Sequence, residues 1–201
     1  MPPLAERFIV FAVWATWVGI AFFGIYPTMN WLTGQREETH ALFTLNELQL
    51  PFVPEFIWVY LSMYLLFIAP PFFLRPEQLR RLGWELVTST IIAGLVFLAF
   101  PAHLGFARVL PDDEFYVQLF RGLFFVDQPF NLVPSLHVVY STAICLAIME
   151  SANRMLRAGL LIWLALLMAS TILVHQHHLV DVATGFLLAL LVRYGWERKN
   201  A

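Results

Sequence analysis

Charge is scarce in this chain. Asp, Glu, Lys and Arg make up 13% of its 201 residues against 60% hydrophobic residues, and the mean hydropathy of +0.71 lies outside the balance of a soluble domain. That scarcity excludes a soluble globular fold and leaves an integral membrane protein. A net charge of −2, with no basic run among the aromatic residues, removes nucleic acid as a partner. Cysteine is nearly missing as well: Cys145 alone cannot form an intrachain disulfide, and its place in an apolar run reads as packing. The N-terminal apolar run is too long for a signal-peptide core and lacks a clear small-residue cleavage site, so a retained first span is expected.

What is present is a series of apolar segments of roughly membrane-spanning length, at about 6–26, 54–74, 84–103, 135–150, 156–175 and 178–196. They predict an all-α fold, a six-transmembrane-helix bundle forming a single integral membrane domain over 1–201. Between the third and fourth segments, Phe115, Tyr116, Leu119, Phe120, Leu123 and Phe124 recur at helical spacing opposite Glu114, Gln118 and Arg121. A short interfacial amphipathic helix is expected there, over about 113–127, packing on the bundle or acting as a lid. Nine Lys and Arg residues, from Arg7 to Lys199, fall on the side shared by the two termini, and three, Arg36, Arg108 and Arg121, on the other. By the positive-inside rule both termini are expected to be cytoplasmic, with the loops 34–51 and 104–134 facing the periplasm, exterior or lumen.

Polar groups gather at that outer face. His175, His177 and His178 lie within four positions and are followed by Asp181. Titratable groups beside hydrocarbon are costly, so the cluster reads as functional. His177 and Asp181 are four apart, on one face of a helix, where the carboxylate orients one imidazole nitrogen and leaves the other free to react. The fourth segment opens with Pro134-Ser135-Leu136-His137, and Pro134 suits a helix start, placing Ser135 and His137 in a first turn with free N–H groups, a ready anion site. Alternation of the spans brings His137 and His177 to one membrane face. Two histidines, a carboxylate, a helix N-terminus and outward arginines suit phosphoryl transfer through a phosphohistidine. One imidazole attacks phosphorus, the other protonates the leaving oxygen, and no metal or cofactor is needed.

These residues resemble the type 2 phosphatidic acid phosphatase superfamily, a six-helix membrane family using a phosphohistidine. Its Pro-Ser-Gly-His block corresponds to Pro134-Ser135-Leu136-His137, and its Ser-Arg, five residues, His, three residues, Asp block to Ser170-Thr171 with His177 and Asp181. The resemblance implies His177 as nucleophile, Asp181 as its orienting partner, His137 as general acid and Ser135 as a phosphate ligand. Thr171 stands where the family has arginine, and the family's first block, a lysine followed by Arg-Pro, is absent; Pro101 replaces the lysine and Arg108 falls where an arginine belongs. Arg108, Arg121, His103 and His175 are the candidates to complete the phosphate site. The missing arginine is similar to the branch containing inositol phosphorylceramide synthases, in which a lipid hydroxyl replaces water as acceptor. The implied partners are the bilayer, a lipid phosphate or phosphodiester, and a lipid or small-alcohol acceptor.

Two other classes stay open. A metal-dependent membrane hydrolase draws on His137, His175, His177, His178 and Asp181 as zinc ligands, but no His-Glu-x-x-His spacing is present and neighbours 177 and 178 point apart on a helix. A non-catalytic transporter or proton relay fits histidines in an apolar chain, yet the charged residues collect at one face rather than in mid-span.

Overall fold

The computed structural model describes residues 2–200; Met1 and Ala201 of the expected domain lie outside them. Helices carry 73% of the chain, with no strand among the described residues. Four helices are long and apolar enough to cross a membrane: α1 (Leu4–Gly34), α5 (Pro76–Ala99), α8 (Arg154–Leu173) and α9, whose spanning part is Leu179–Lys199. Two apolar stretches are shorter, Pro54–Ile68 and α7 (Leu136–Met149). Of the six segments of roughly spanning length that were expected, four are thus long helices and two are shorter apolar stretches.

Each short stretch has a local cause. The expected second segment is broken into α2 (Ile57–Leu61), α3 (Met63–Ile68) and α4 (Pro70–Phe73). At the first break the Ser62 hydroxyl donates back to the Val59 carbonyl (2.6 Å) and accepts from the indole of Trp163 (2.9 Å), and at the second Pro70 supplies no N–H. α7 starts late because residues 131–135 are buried but not helical. Irregular backbone is tolerated at this depth when protein surrounds it, and Asn131 fastens it by donating to the Tyr26 carbonyl (2.7 Å).

α1 and α5 both begin before their expected bounds, and α1 also runs past its expected end. α1 continues through Pro27, and Thr28 bonds back to the Gly24 carbonyl (2.7 Å) beside the gap that proline leaves. α5 begins at Pro76, a residue suited to a first helical position, and stops before Pro101. α1 lies close against α5, since a Cβ at Gly83 would meet the Trp14 ring at 2.4 Å and one at Gly94 would meet Ile25 at 2.4 Å. Large apolar side chains such as Ile9, Trp17, Phe23, Leu95 and Leu191 face outward, as lipid-exposed residues do.

The amphipathic helix falls where the sequence places it, as α6 (Glu114–Val126), its first turn capped by Asp113 accepting from the Phe115 N–H (2.8 Å). Phe120 is buried, and Tyr116, Leu119 and Leu123 pack around it against Ile57, Tyr60 and Val174. α6 is therefore a packed cover over α2 and the end of α8. At the opposite end of the bundle, ion pairs tie α5, α7 and α9. Arg81 meets Glu85 (2.8 Å), Glu150 (3.0 Å) and Glu197 (2.7 Å), and Arg193 joins Glu150 and buried Glu85. Charged residues were expected at one face rather than in mid-span; Glu85 is nonetheless buried on α5, where two arginines hold it.

Candidate active site

α8 ends in a backbone arrangement that delivers His177. The N–H of His175 bonds the Ile172 carbonyl (2.9 Å) and that of Gln176 the Thr171 carbonyl (3.0 Å), the paired bonds of a Schellman turn. His175 takes the left-handed conformation (φ 56°) that such a turn requires and that glycine usually supplies. The Thr171 carbonyl also receives the His177 N–H (3.0 Å). Thr171, where the arginine was missed, thus contributes its carbonyl to the turn, while its hydroxyl bonds back to Met168 (2.8 Å).

Asp181 then joins the two sequence blocks. Its Oδ2 accepts from the His178 N–H (2.7 Å) and lies 3.2 Å from His177 Nδ1, while its own carbonyl accepts from the Ser135 N–H (3.0 Å). Glycine at 185, one turn further along α9, allows this approach: a Cβ there would stand 2.6 Å from the Ser135 carbonyl oxygen. Gly185→Ala is expected to push α9 off α7, lowering unfolding stability by about 1–3 kcal/mol and activity with it. Thermal denaturation in detergent, read beside turnover, checks this.

Across that junction the two catalytic candidates meet. His137 Nδ1 is 3.2 Å from His177 Nε2, and both His177 and Asp181 are buried. Beyond His137 the line continues through residues not singled out in the sequence. The Tyr60 hydroxyl is 2.6 Å from His137 Nε2 and 3.1 Å from Asp127 Oδ2, and Tyr26 donates to the other Asp127 oxygen. Asp127, in the loop expected to face the exterior, is buried.

Proton placement follows from these contacts. With His177 Nδ1–H donating to Asp181, its Nε2 is a bare lone pair, so His137 Nδ1 must carry the proton between them. At the far end, two placements satisfy Tyr60: Asp127 as carboxylate with His137 as imidazolium, or Asp127 as acid with His137 neutral. They differ by one proton shifted through the Tyr60 hydroxyl, and in both His137 presents Nδ1–H to His177.

Of the phosphate-ligand candidates, Ser135 is the one brought against these residues. Its hydroxyl is fully buried and has no hydrogen-bond partner among the described residues, at the start of α7. Arg108 reaches the end of α6, donating to the carbonyls of Phe124 (3.0 Å) and Asp127, and so fixes Asp127 in place. Arg121 is exposed on α6 and makes no hydrogen bond or ion pair among the described residues. His103 bonds Thr39 through Nδ1 (2.9 Å), and His175 faces away, stacked on Phe106 at 4.0 Å with Nε2 on the Leu50 carbonyl (3.1 Å).

His178 also points away from His177. It lies between Phe43 and Phe106, accepts from the Gly105 N–H (3.0 Å), and has Nδ1 3.5 Å from Glu47. Glu47 in turn accepts from the N–H groups of Leu179 and Thr44 (3.0 Å each), a carboxylate cap on the N-terminus of α9. Burial is the largest influence on Glu47 and pushes its pKa up, but those N–H groups outweigh it and the pKa falls below the usual 4.5. A lowered carboxylate pKa stabilises the fold fully above the unfolded value and loses that contribution as pH falls through the folded one. Glu47→Ala is expected to cost about 1–2 kcal/mol at neutral pH, with the difference from the parent protein shrinking as pH drops below about 4.5. Paired thermal melts across that range check it.

A family model described as the PAP2 superfamily matches residues 30–194. No curated protein matches the chain.

Proposed function

This chain belongs to the PAP2 superfamily, and on that premise we propose that it transfers a phosphoryl group from a lipid phosphate or lipid phosphodiester through a phosphohistidine at His177. Membership itself carries phosphatase-type phosphoryl transfer, and the long apolar helices make the protein a membrane one. The observation that carries the finer reading is the unbroken line Asp181, His177, His137, Tyr60, Asp127, with the unpartnered Ser135 hydroxyl and the free N–H groups of α7 beside it.

In the first step substrate displaces His137 from His177 Nε2. The Nε2–phosphorus bond forms and the phosphorus–oxygen bond to the lipid breaks. Asp181 keeps Nδ1–H oriented and stabilises the charge that develops on the ring. His137 Nδ1 gives its proton to the departing oxygen. Ser135 and the first-turn N–H groups of α7 hold the equatorial oxygens, with Arg108 adding positive charge nearby. In the second step an acceptor hydroxyl returns its proton to His137 and takes the phosphoryl group from His177. Asp127, through Tyr60, stores or returns the second proton of His137.

Thr171 in place of arginine supports transfer to a hydroxyl of a lipid or small alcohol, as in inositol phosphorylceramide synthases, over release to water. The distribution of Lys and Arg supports a site facing the exterior or lumen, with both termini cytoplasmic. Incubation of purified protein with a panel of lipid phosphates, with and without alcohol acceptors, tests this. A new phosphodiester identifies the transferase, free phosphate alone the phosphatase, and neither product contradicts the proposal.

A second reading rests on a separate observation: one ligand atom each from Asp127, His137 and His177 lies within 4.8 Å of the others, close enough to share a cation. It predicts activity lost to chelators and restored by a divalent metal. The phosphohistidine route predicts inhibition by vanadate and indifference to chelators.

A further inference from the structure

A cavity of about 690 Å³ runs down the bundle from the catalytic residues, and nothing in the mechanism above uses it. His137, Tyr60, Tyr26 and Asp127 line its upper end. Below them the wall is hydrocarbon and aromatic, with Phe22, Val18 and Ile144 in the middle and Phe11, Trp14 and Leu82 at the bottom. Among the described residues, no charged side chain lines it apart from Asp127 and His137. The lining residues of α1 run from Phe11 to Tyr26, about 22 Å of helix at ~1.5 Å per residue. That exceeds the ~15 Å of hydrocarbon in one bilayer leaflet. Two lining residues, Phe23 and Val126, are also 74% and 68% exposed, so the cavity opens sideways between α1 and α6 toward lipid.

We infer that this cavity receives a single long hydrocarbon chain of the phosphate-bearing substrate and sets the chain length the enzyme prefers. The inference rests on the proposed lipid-phosphate chemistry for the identity of the head group. A polar head held at His137 and His177 leaves its tail at the cavity's polar end, with an apolar path downward and a lateral opening through which it enters from the membrane. Buried apolar space of this size favours apolar occupants over water. Near the lower end of the lining the Trp14 ring lies against the α5 backbone at Gly83.

Gly19 offers a clean way to shorten that path. It lines the cavity about 10 Å below Tyr26, and a Cβ there meets nothing within 4 Å. Gly19→Leu fills the passage and also replaces a poor helix former with a good one, so folding is favoured. Gly24, likewise open on α1 but outside the cavity lining, serves as control.

The experiment compares kcat/KM for two alkyl phosphates, one reaching less than halfway down the cavity and one matching its length. Gly19→Leu is expected to lower the long-to-short ratio about tenfold, and Gly24→Leu to leave it at the parent value. In parallel, a long-chain alkyl phosphate with a photoreactive tail is cross-linked to His177→Ala protein, and label is expected on Trp14, Phe11 or Leu82. An unchanged ratio with label confined to outward-facing residues overturns the chain site while leaving lipid-phosphate turnover intact. Label at the cavity floor with no turnover of any phosphate by the parent protein supports the chain site and sinks the chemistry instead.

Discussion

His177→Ala is expected to lower kcat by at least ~10³-fold, with KM for the lipid phosphate changed little by comparison. The expectation follows from what the imidazole alone supplies. Its Nδ1 is committed to Asp181, which fixes the ring and leaves Nε2, the proposed nucleophile, aimed at the space His137 now fills. Neither neighbouring histidine is placed to substitute: His178 is enclosed by two phenylalanine rings and His175 is turned onto Phe106. Alanine removes the nucleophile while leaving Ser135 and the N-terminus of α7 to bind phosphate, so the loss falls on the chemical step. Single-turnover kinetics on detergent-purified protein separates the two.

Tyr60→Phe is expected to have the next largest effect, a fall in kcat of about 10²-fold, and Asp127→Asn a similar one. Phenylalanine keeps the ring that packs with Phe120 and Ile57, so the fold is retained while the link between Asp127 and His137 is cut. A merely structural loss would affect all substrates equally. The relay predicts a selective one: lipid phosphates, whose leaving alkoxide needs a proton, slow by the full factor, whereas an aryl phosphate with a good leaving group is nearly spared. The acid limb of the pH–rate profile moves as well, because His137 no longer shares its second proton. Equal losses on both substrates with an unmoved profile would contradict the role.

The parts of this site that were legible in the sequence are the local ones. His177 and Asp181 stand one helical turn apart, Pro134 marks a helix start, and α6 carries a periodic apolar face. Each pattern is written within a few residues, and topology alone brought His137 to His177. Tyr60 and Tyr26 gave no such signal, because an aromatic in an apolar run looks the same whether it packs or holds a proton. They reach Asp127 from 67 and 101 residues away. The shortened second and fourth stretches were hidden for a related reason. Hydropathy measures how greasy a segment is, and it does not register the Ser62 hydroxyl turning back on the backbone or the buried loop before α7 that Asn131 holds. Arg108, expected as a phosphate ligand, directs its donors to the carbonyls of Phe124 and Asp127 at the end of α6 rather than into open space.

The central claim is a covalent bond between phosphorus and His177, and trapping that bond is its most direct test. Protein mixed with a lipid phosphate labelled on phosphorus and quenched in alkali should carry a base-stable, acid-labile phosphoryl group that maps to the peptide containing His177, forms within one turnover and disappears when an acceptor alcohol is added. Full turnover with no such label, or label on any other residue, would contradict the account.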